Sequence, residues 1–272
     1  NPPSSFGQYN NGLKLGGAKI TIDGSVQGRT ALFTTPYLVE GPNGEKPWKG
    51  VAPFTQQQLN QMVKQVYDLG LPLDLHANGD GAIDMLLAAH EFAAAGDLEK
   101  ERHVTAVHSQ FVRRDQLDKY RKYKITPSFF TQHTYFFADT HLVLRGKQQT
   151  DFISPMRTAI DMGLRPSNHT DFVVTPLDQL FVIWTAVNRI SRNGVLIGGG
   201  ERITPLEALE AITLSAARQH GDEQTKGSLE PGKLADMVIL SANPLTVEPM
   251  QIKDIKVVET FKQGRRIYPQ QL

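Results

Sequence analysis

The chain has 272 residues, 40% of them hydrophobic and 21% charged, a composition that suits one large α/β domain or two small globular ones. A formal net charge of +1 gives no electrostatic argument for binding nucleic acid or an anionic membrane. No segment approaches the length of a transmembrane helix. Because there is no cysteine, any metal site must use histidine, carboxylates or a modified lysine.

The N-terminal segment, NPPSSFGQYNNG, is polar and turn-rich and shows no signal peptide. The chain starts at Asn1 without an initiator Met, so we interpret it as a mature form or a fragment. The sequence does not determine the cellular compartment. A cytoplasmic location is slightly favoured, and export through a leader upstream of Asn1 is the alternative.

The first half of the chain predicts strands and helices in alternation. Residues 13–22 fit a strand that enters the glycine-rich turn DGSVQGR, and residues 34–53 read as a long loop rich in proline and glycine. A helix over 56–69 begins with Thr55 as N-cap and Gln58 completing a capping box. The further elements predicted here are strands over 71–76, 103–108 and 125–130, and helices over 81–95 and 113–123.

The second half continues the alternation and then changes character. Residues 164–171 predict a strand interrupted by Pro166. The predicted helices cover 154–162, closed by Gly163, 176–192, with Thr175 as N-cap, and 205–219, with Thr204 as N-cap and Glu207 at the third position. From Lys226 the segments KGSLEPGKLADMVIL and IKVVETFKQGRRIY indicate short antiparallel strands.

This order of elements predicts an α/β fold of parallel strands, in a layer or a barrel. We assign residues 1–225 to that barrel domain and residues 226–272 to a small β appendage.

Side-chain alternation along the strands separates an apolar face from a polar one. In residues 71–76 one face carries three leucines and the other carries Pro72, Asp74 and His76. In residues 103–108, alternation groups His108 with Val104 and Ala106. Polar groups on an enclosed sheet face cost several kcal/mol unless they are paired or bound to metal.

A barrel with its site at the carboxyl ends of the strands resolves this conflict. Lys19, His76, His108 and Asp171 would then converge at one rim. Two imidazoles, a carboxylate and a lysine are an unusual combination in a packed core, but this combination suits a divalent metal site.

The sequence also resembles the metal-dependent amidohydrolase superfamily, in its amidohydrolase family 3 (YtcJ-like) branch. The resemblance spans nearly the whole chain, in order, and is carried by the motifs KITIDGSVQGRTA, LHANGDGAID, VHSQF, SNHTDF and KGSLEPGKLADMVIL. It implies a (β/α)8 TIM-type barrel with a small β-sandwich, and one or two divalent metal ions, zinc being favoured, at the carboxyl ends of the strands.

The resemblance also implies roles for individual residues. Lys19 matches the strand-four lysine, which can be carboxylated to bridge two metals, and His76 and His108 match the histidines of strands five and six. Asp171 matches the strand-eight aspartate, a metal ligand and the general base for the attacking water. His133 resembles a strand-seven histidine near the substrate.

Two departures from the family pattern stand out. The His-x-His pair of the first strand is absent from all 272 residues, and so, we infer, are the first three barrel units. The chain therefore resembles the part of the family barrel that contains strands four to eight. We interpret it as the C-terminal half of a longer protein, a proteolytic fragment, or one segment of a split or swapped barrel. His169 stands where the family often has small residues, so it is an extra ligand or a substrate contact.

Less specific interpretations stay open beside these. His76 and His108 could be core histidines, Lys19 could place its ammonium in solvent, and Asp171 could cap a turn. Arg29 could pair with Asp23 or border the substrate pocket.

For the remaining residues we favour structural roles. His90 is expected to pack in the core, Asp80 to cap the helix that follows it, and His141 and His220 to be exposed.

The predicted function is therefore hydrolysis of an amide-type C–N bond, in an N-acyl, formamide or cyclic amide substrate, by a metal-activated water. The substrate is a small molecule, bound by His133, His169 and Arg29. The alternative is a non-catalytic barrel fragment that acts as a binding or assembly module. Such a fragment would be completed by a second copy or by a missing N-terminal segment.

Overall fold

The computed structural model describes residues 3–269 and contains short strands in three sheets. The strands are β1 (Tyr9–Asn10), β2 (Leu13–Lys14), β3 (Ala18–Thr21), β4 (Leu73–Ala77), β5 (Val104–His108), β6 (Ile125–Phe129), β7 (Ser167–Asn168), β8 (Met237–Leu240), β9 (Val257–Lys262) and β10 (Arg265–Tyr268).

Helices follow most of the strands. The α-helices are α1 (Gln56–Asp68), α2 (Asp80–Ala94), α3 (Arg114–Tyr123), α4 (His133–Phe136), α5 (Ala138–Arg145), α6 (Lys147–Thr150), α7 (Met156–Asp161), α8 (Gln179–Asn188), α9 (Pro205–Ile212) and α10 (Leu214–Gln219). Short 3-10 turns cover Pro3–Ser5, Gly199–Glu201 and Pro249–Asp254. Among the described residues, no helix has the length and apolar character needed to cross a membrane.

The central sheet is an incomplete α/β barrel. Its five strands are all parallel and follow the chain order β3-β4-β5-β6-β7, as helical crossovers between neighbouring parallel strands require. Between residues 3 and 269, β3 and β7 each have a strand neighbour on one side only. The predicted fold class, a TIM-type barrel with fewer than eight strands in this chain, is confirmed.

The main core lies between this sheet and the helices on its outer face. Leu73, Leu75 and Ala77 of β4 are buried there, and they belong to one apolar cluster with Leu59 of α1 and Leu86 of α2. The alternation of apolar and polar residues along β4 thus directs its leucines to the helices.

The predicted capping box at Thr55 and the predicted N-cap at Thr204 are both confirmed. The Thr55 backbone N–H donates to Gln58 Oε1 at 2.8 Å and the Gln58 N–H donates to Thr55 Oγ1 at 3.3 Å. Thr204 and Glu207 make the same reciprocal pair at the start of α9. These boxes satisfy backbone donors that have no partner within the helix.

Two other helix predictions were wrong in extent. The helix expected from Pro176 begins at Gln179, with Asp178 as its N-cap, because the Thr175 hydroxyl donates to Gln132 Oε1 and to the Thr170 carbonyl oxygen. The helix expected over 205–219 is divided at Thr213, whose ψ of −86° is not helical.

The strand expected over 164–171 was also wrong in extent. Only Ser167 and Asn168 pair with β6. Proline cannot donate to a strand ladder, so Pro166 limits the strand on one side. Asp171, at φ 51°, lies in the left-handed region, which limits it on the other.

The C-terminal residues form the predicted antiparallel sheet, in the order β10-β9-β8. Near it, the hairpin of β1 and β2 is held by Lys14, whose Nζ lies 2.7 Å from Asp222 Oδ1. The division into domains 1–225 and 226–272 stays a prediction.

Candidate active site

The inward face of the parallel sheet, opposite the core helices, is polar. The strand register pairs Lys19 with Asp74 and Thr21 with His76, and paired residues of neighbouring strands share a face. Lys19 therefore lies on the same face as His76 and two residues further from the carboxyl edge. The predicted alternation along β4, which puts Asp74 and His76 on one face, is confirmed, and Lys19 shares that face.

His108 reaches this face in a way that the alternation did not predict. The register pairs Val107 with His76 on the inward face, and it pairs His108 with Ala77 on the helix-facing side. The prediction that the strand face shared by His108, Val104 and Ala106 points into the site was therefore wrong. His108 ends its strand with φ at 70°, outside the extended region. Its ring centroid nevertheless lies 4.5 Å from that of His76, so the end of the strand places the imidazole in the cluster.

His169 and Asp171 complete the contact cluster at the carboxyl edge. His169 Nε2 lies 3.1 Å from His108 Nδ1, and His169 Nδ1 lies 3.1 Å from Ser128 Oγ. His108 Nε2 lies 3.9 Å from Asp171 Oδ2. Residues that are remote in the sequence thus meet at the ends of neighbouring strands.

Lys19 has an exposed side chain. It lines a cavity of about 260 Å³ together with Asp74, His169 and Asp171. The structure thus places Lys19 beside the cluster, with its ammonium near solvent.

Burial keeps the imidazoles of the cluster neutral. Together with the smaller effect of the positive charge of Lys19, it lowers the pKa of His76 to about 4 and that of His169 to about 3. The pKa of His108 lies well below its ordinary value, mainly through burial. A neutral imidazole has a free lone pair near pH 7, as metal coordination requires.

The pKa of Asp171 shifts in the opposite direction. Burial raises the pKa of its carboxyl group, and the charge of Lys19 partly offsets this rise. Asp171 is therefore a stronger base than an ordinary surface aspartate.

The chemistry of these donors fits a divalent metal. Neutral imidazoles and a carboxylate are common ligands of Zn²⁺, and His76, His108 and Asp171 supply them, whereas Lys19 would be a ligand only in a carboxylated form. Across residues 3–269, however, no group of three histidine or acidic side chains is already arranged around a common point. The candidate ligands are in contact without forming a coordination shell.

Asp23 belongs to this site, although the sequence interpretation left its role open. Its carboxylate accepts backbone hydrogen bonds from Leu32, Asn78 and Gly79, each at 2.9 Å. Asp23 Oδ1 lies 3.6 Å from His76 Nε2. Burial raises the pKa of Asp23 to about 7 against the effect of these hydrogen bonds. The signal in the sequence was its position, on the same strand face as Lys19.

Arg29 lies apart from the cluster. Its Nη1 donates to the carbonyl oxygens of Glu40 and Gly41. Within the part of the chain that the structure describes, it makes no ion pair with Asp23. The ion-pair alternative was therefore wrong, and a substrate contact stays a prediction.

His133 and His141 lie behind the cluster. The His133 ring centroid is 6.0 Å from that of His108 and 4.2 Å from that of Phe130. His141 is fully buried, 6.2 Å from His133 between ring centroids, so its predicted exposure was wrong. His141 lies three residues from Ala138 and three from Leu144, which are also buried in α5. This helical spacing was a sequence signal that His141 lies on the buried face of the helix.

The other histidines behave as predicted. His90 packs in the interior, with Nδ1 2.7 Å from the Tyr67 hydroxyl, and His220 is exposed. The prediction for Asp80 was wrong, because Gly79 is the N-cap of α2 and Asp80 makes no capping hydrogen bond.

Comparison with known proteins shows the family of this chain. The model of the amidohydrolase family matches residues 2–268. The chain belongs to the amidohydrolase family. It is 30% identical to the protein LONG AFTER FAR-RED 3 of Arabidopsis thaliana, over 94% of this chain and 43% of that protein. It is 23% identical to the N-substituted formamide deformylase of Arthrobacter pascens, over 93% of this chain and 45% of the enzyme.

Solved structures share the fold of this family member. An uncharacterized metal-dependent hydrolase from Pyrococcus horikoshii superimposes with a TM-score of 0.76 at 25% identity, covering 90% of this chain and 48% of that one. An adenosine deaminase from Xanthomonas campestris with bound zinc gives a TM-score of 0.57 at 18% identity, covering 78% and 48%. The chain spans about half the length of the relatives it matches.

Proposed function

We propose that this chain supplies the carboxyl-edge site of a metal-dependent hydrolase that cleaves an amide-type C–N bond in a small molecule. The observation that carries the proposal is the contact cluster of His76, His108, His169 and Asp171 at the ends of parallel strands. Amide-type substrates, N-acyl, formamide or cyclic, are chosen because the chain resembles a formamide deformylase.

The metal would be held by Lys19, His76, His108 and Asp171. Zinc is the proposed ion, in one or two copies, and two copies would require a carboxylated Lys19. When bound, such an ion polarises the substrate carbonyl and lowers the pKa of a water molecule.

The side chains then have distinct roles. Asp171 takes a proton from the attacking water and passes it to the leaving nitrogen, and its raised pKa suits both steps. His76 and His108 stay neutral because burial disfavours their charged forms. His133, His169 and Arg29 are proposed to contact the substrate.

A second candidate, a binding or assembly module, is favoured by the open sheet. On the described chain, β3 and β7 each keep one unpaired edge, and open edges invite pairing with another chain. Completion by a second copy would give a dimer mass in light scattering. A monomer that binds metal and turns over amides would reject this alternative.

The test of the hydrolase is Asp171→Asn in the zinc-loaded chain, assayed against a panel of N-formyl, N-acyl and cyclic amides. We expect turnover to fall by about 10²–10⁴-fold, because proton transfer by a positioned side chain contributes that much. Asp161→Asn is the matched control, since Asp161 is an exposed carboxylate paired with Arg157.

Metal content is measured by mass spectrometry on the same samples. Undiminished turnover in a metal-loaded Asp171→Asn variant would reject the general-base role. A wild-type chain that holds no zinc and hydrolyses none of the panel would reject the hydrolase and leave the assembly module.

A further inference from the structure

A second pocket shares no lining residue with the histidine cluster. Its volume is about 390 Å³, within the range of small-molecule sites. The segments that line it follow β3, β4, β5 and β6 in turn. It therefore lies at the carboxyl edge of the sheet, where α/β proteins bind their ligands.

The pocket has aromatic walls. Phe33, Phe111 and Phe152 line it, and the Phe33 and Phe111 ring centroids lie 5.2 Å apart in an edge-to-face arrangement. Arg145 holds one side in place, because its guanidinium lies 3.8 Å from the Phe33 ring centroid and donates to Thr35 Oγ1 at 2.8 Å. These contacts between side chains of the protein hold the aromatic wall in position.

The acidic side chain in the pocket is already neutralised. Asp80 accepts hydrogen bonds from the backbone N–H and the hydroxyl of Thr34. Arg113 donates to Asp80 at 2.9 Å and makes two bonds to Asp84. Arg113 also pairs with Asp115 at 3.0 Å, so its guanidinium is fully engaged by three carboxylates and is not free to bind a ligand.

Arg114 is different. Its guanidinium lies 4.8 Å from the Phe152 ring centroid, and over residues 3–269 it has neither a carboxylate partner nor a hydrogen bond. A free guanidinium at the rim of an aromatic pocket suits a carboxylate attached to an aromatic body.

We infer that this pocket binds a small aromatic carboxylate. The aromatic body packs between Phe33, Phe111 and Phe152, and the carboxylate accepts hydrogen bonds from Arg114. The inference does not depend on the proposed hydrolase, because no candidate metal ligand lines the pocket.

The test is calorimetric titration of the full chain with phenylacetate, and with phenylacetamide and acetate as probes that lack the charge or the ring. We expect phenylacetate to bind, and each of the other two to bind at least about tenfold more weakly. Arg114→Gln should weaken phenylacetate binding by about tenfold or more, and Arg114→Lys should restore part of it. Gln148→Trp, a substitution of an exposed lining residue, should fill the pocket and abolish binding.

Two control variants test whether binding is confined to this pocket. Arg121→Gln, an exposed arginine of the same helix α3, should leave binding unchanged. Asp171→Asn should also leave it unchanged, because the carboxylate is not expected at the metal site. Absence of binding up to about 10 mM phenylacetate, binding that survives both Arg114→Gln and Gln148→Trp, or loss in Asp171→Asn would overturn the inference.

Discussion

The two faces of the parallel sheet carry different parts of the protein's chemistry. The helix-facing side is apolar and packed, with Leu75 fully buried, whereas the inward side carries Lys19, Asp74 and His76, of which Lys19 is exposed. Buried apolar area stabilises folds, and polar groups gathered at strand ends perform chemistry. The same β-strands therefore supply stability from one side and the candidate site from the other.

The largest effect should come from neighbouring positions on β4. Leu75→Ala is expected to lower the free energy of unfolding by about 4 kcal/mol, because it leaves a cavity in a packed core. Asp74→Ala, on the inward face, should change it by less than about 0.5 kcal/mol. Urea unfolding of both variants measures the difference. Equal losses would show that the two faces contribute alike to stability.

Acid should act mainly through the inward face. The pKa of His76 is about 4 in the folded protein and 6.5 when unperturbed. Its neutral form therefore adds stability above pH 6.5, and this is lost as the pH falls through 4. We expect a loss of about 3 kcal/mol from this group. The measurement compares unfolding free energies of metal-free wild type and His76→Gln at pH 7 and pH 4. Identical pH dependence in the two would contradict the assignment.

A smaller effect is expected at Ser128. Its hydroxyl lies 3.1 Å from His169 Nδ1 and accepts a hydrogen bond from Ser167 Oγ at 2.8 Å. Ser128→Ala should cost about 1 kcal/mol, the typical net contribution of such bonds. Thr126→Val, on the same strand face, is the control. If the two variants unfold alike, the contacts of Ser128 are not stabilising.

The smallest change in stability is expected for Lys19→Gln, below about 0.5 kcal/mol, because the side chain is exposed. Removing its charge should nevertheless raise the pKa values of His76 and His169, which Lys19 now lowers. Histidine NMR titration measures this, with the exposed Lys262→Gln as control. Unshifted histidine titrations would place Lys19 outside the electrostatic reach of the site.

Local signals predicted much of the fold. The helix starts at Thr55 and Thr204 were found because each capping motif is complete within four residues. Thr175 was predicted as an N-cap from a similar signal, but this prediction was wrong because the Thr175 hydroxyl bonds to Gln132, 43 residues away. A side chain that has a distant partner cannot be assigned from its neighbours in sequence.

The sequence by itself determined the alternation of strands and helices, the polar face of β4 and the family motifs. These follow from periodicity and from residue types that have few other uses. Only the tertiary structure decided that His108 joins His76 despite the strand alternation, and that Asp23 Oδ1 lies 3.6 Å from His76 Nε2. Each of these depends on a backbone turn or on packing between remote segments, and such long-range contacts are not encoded in local spacing.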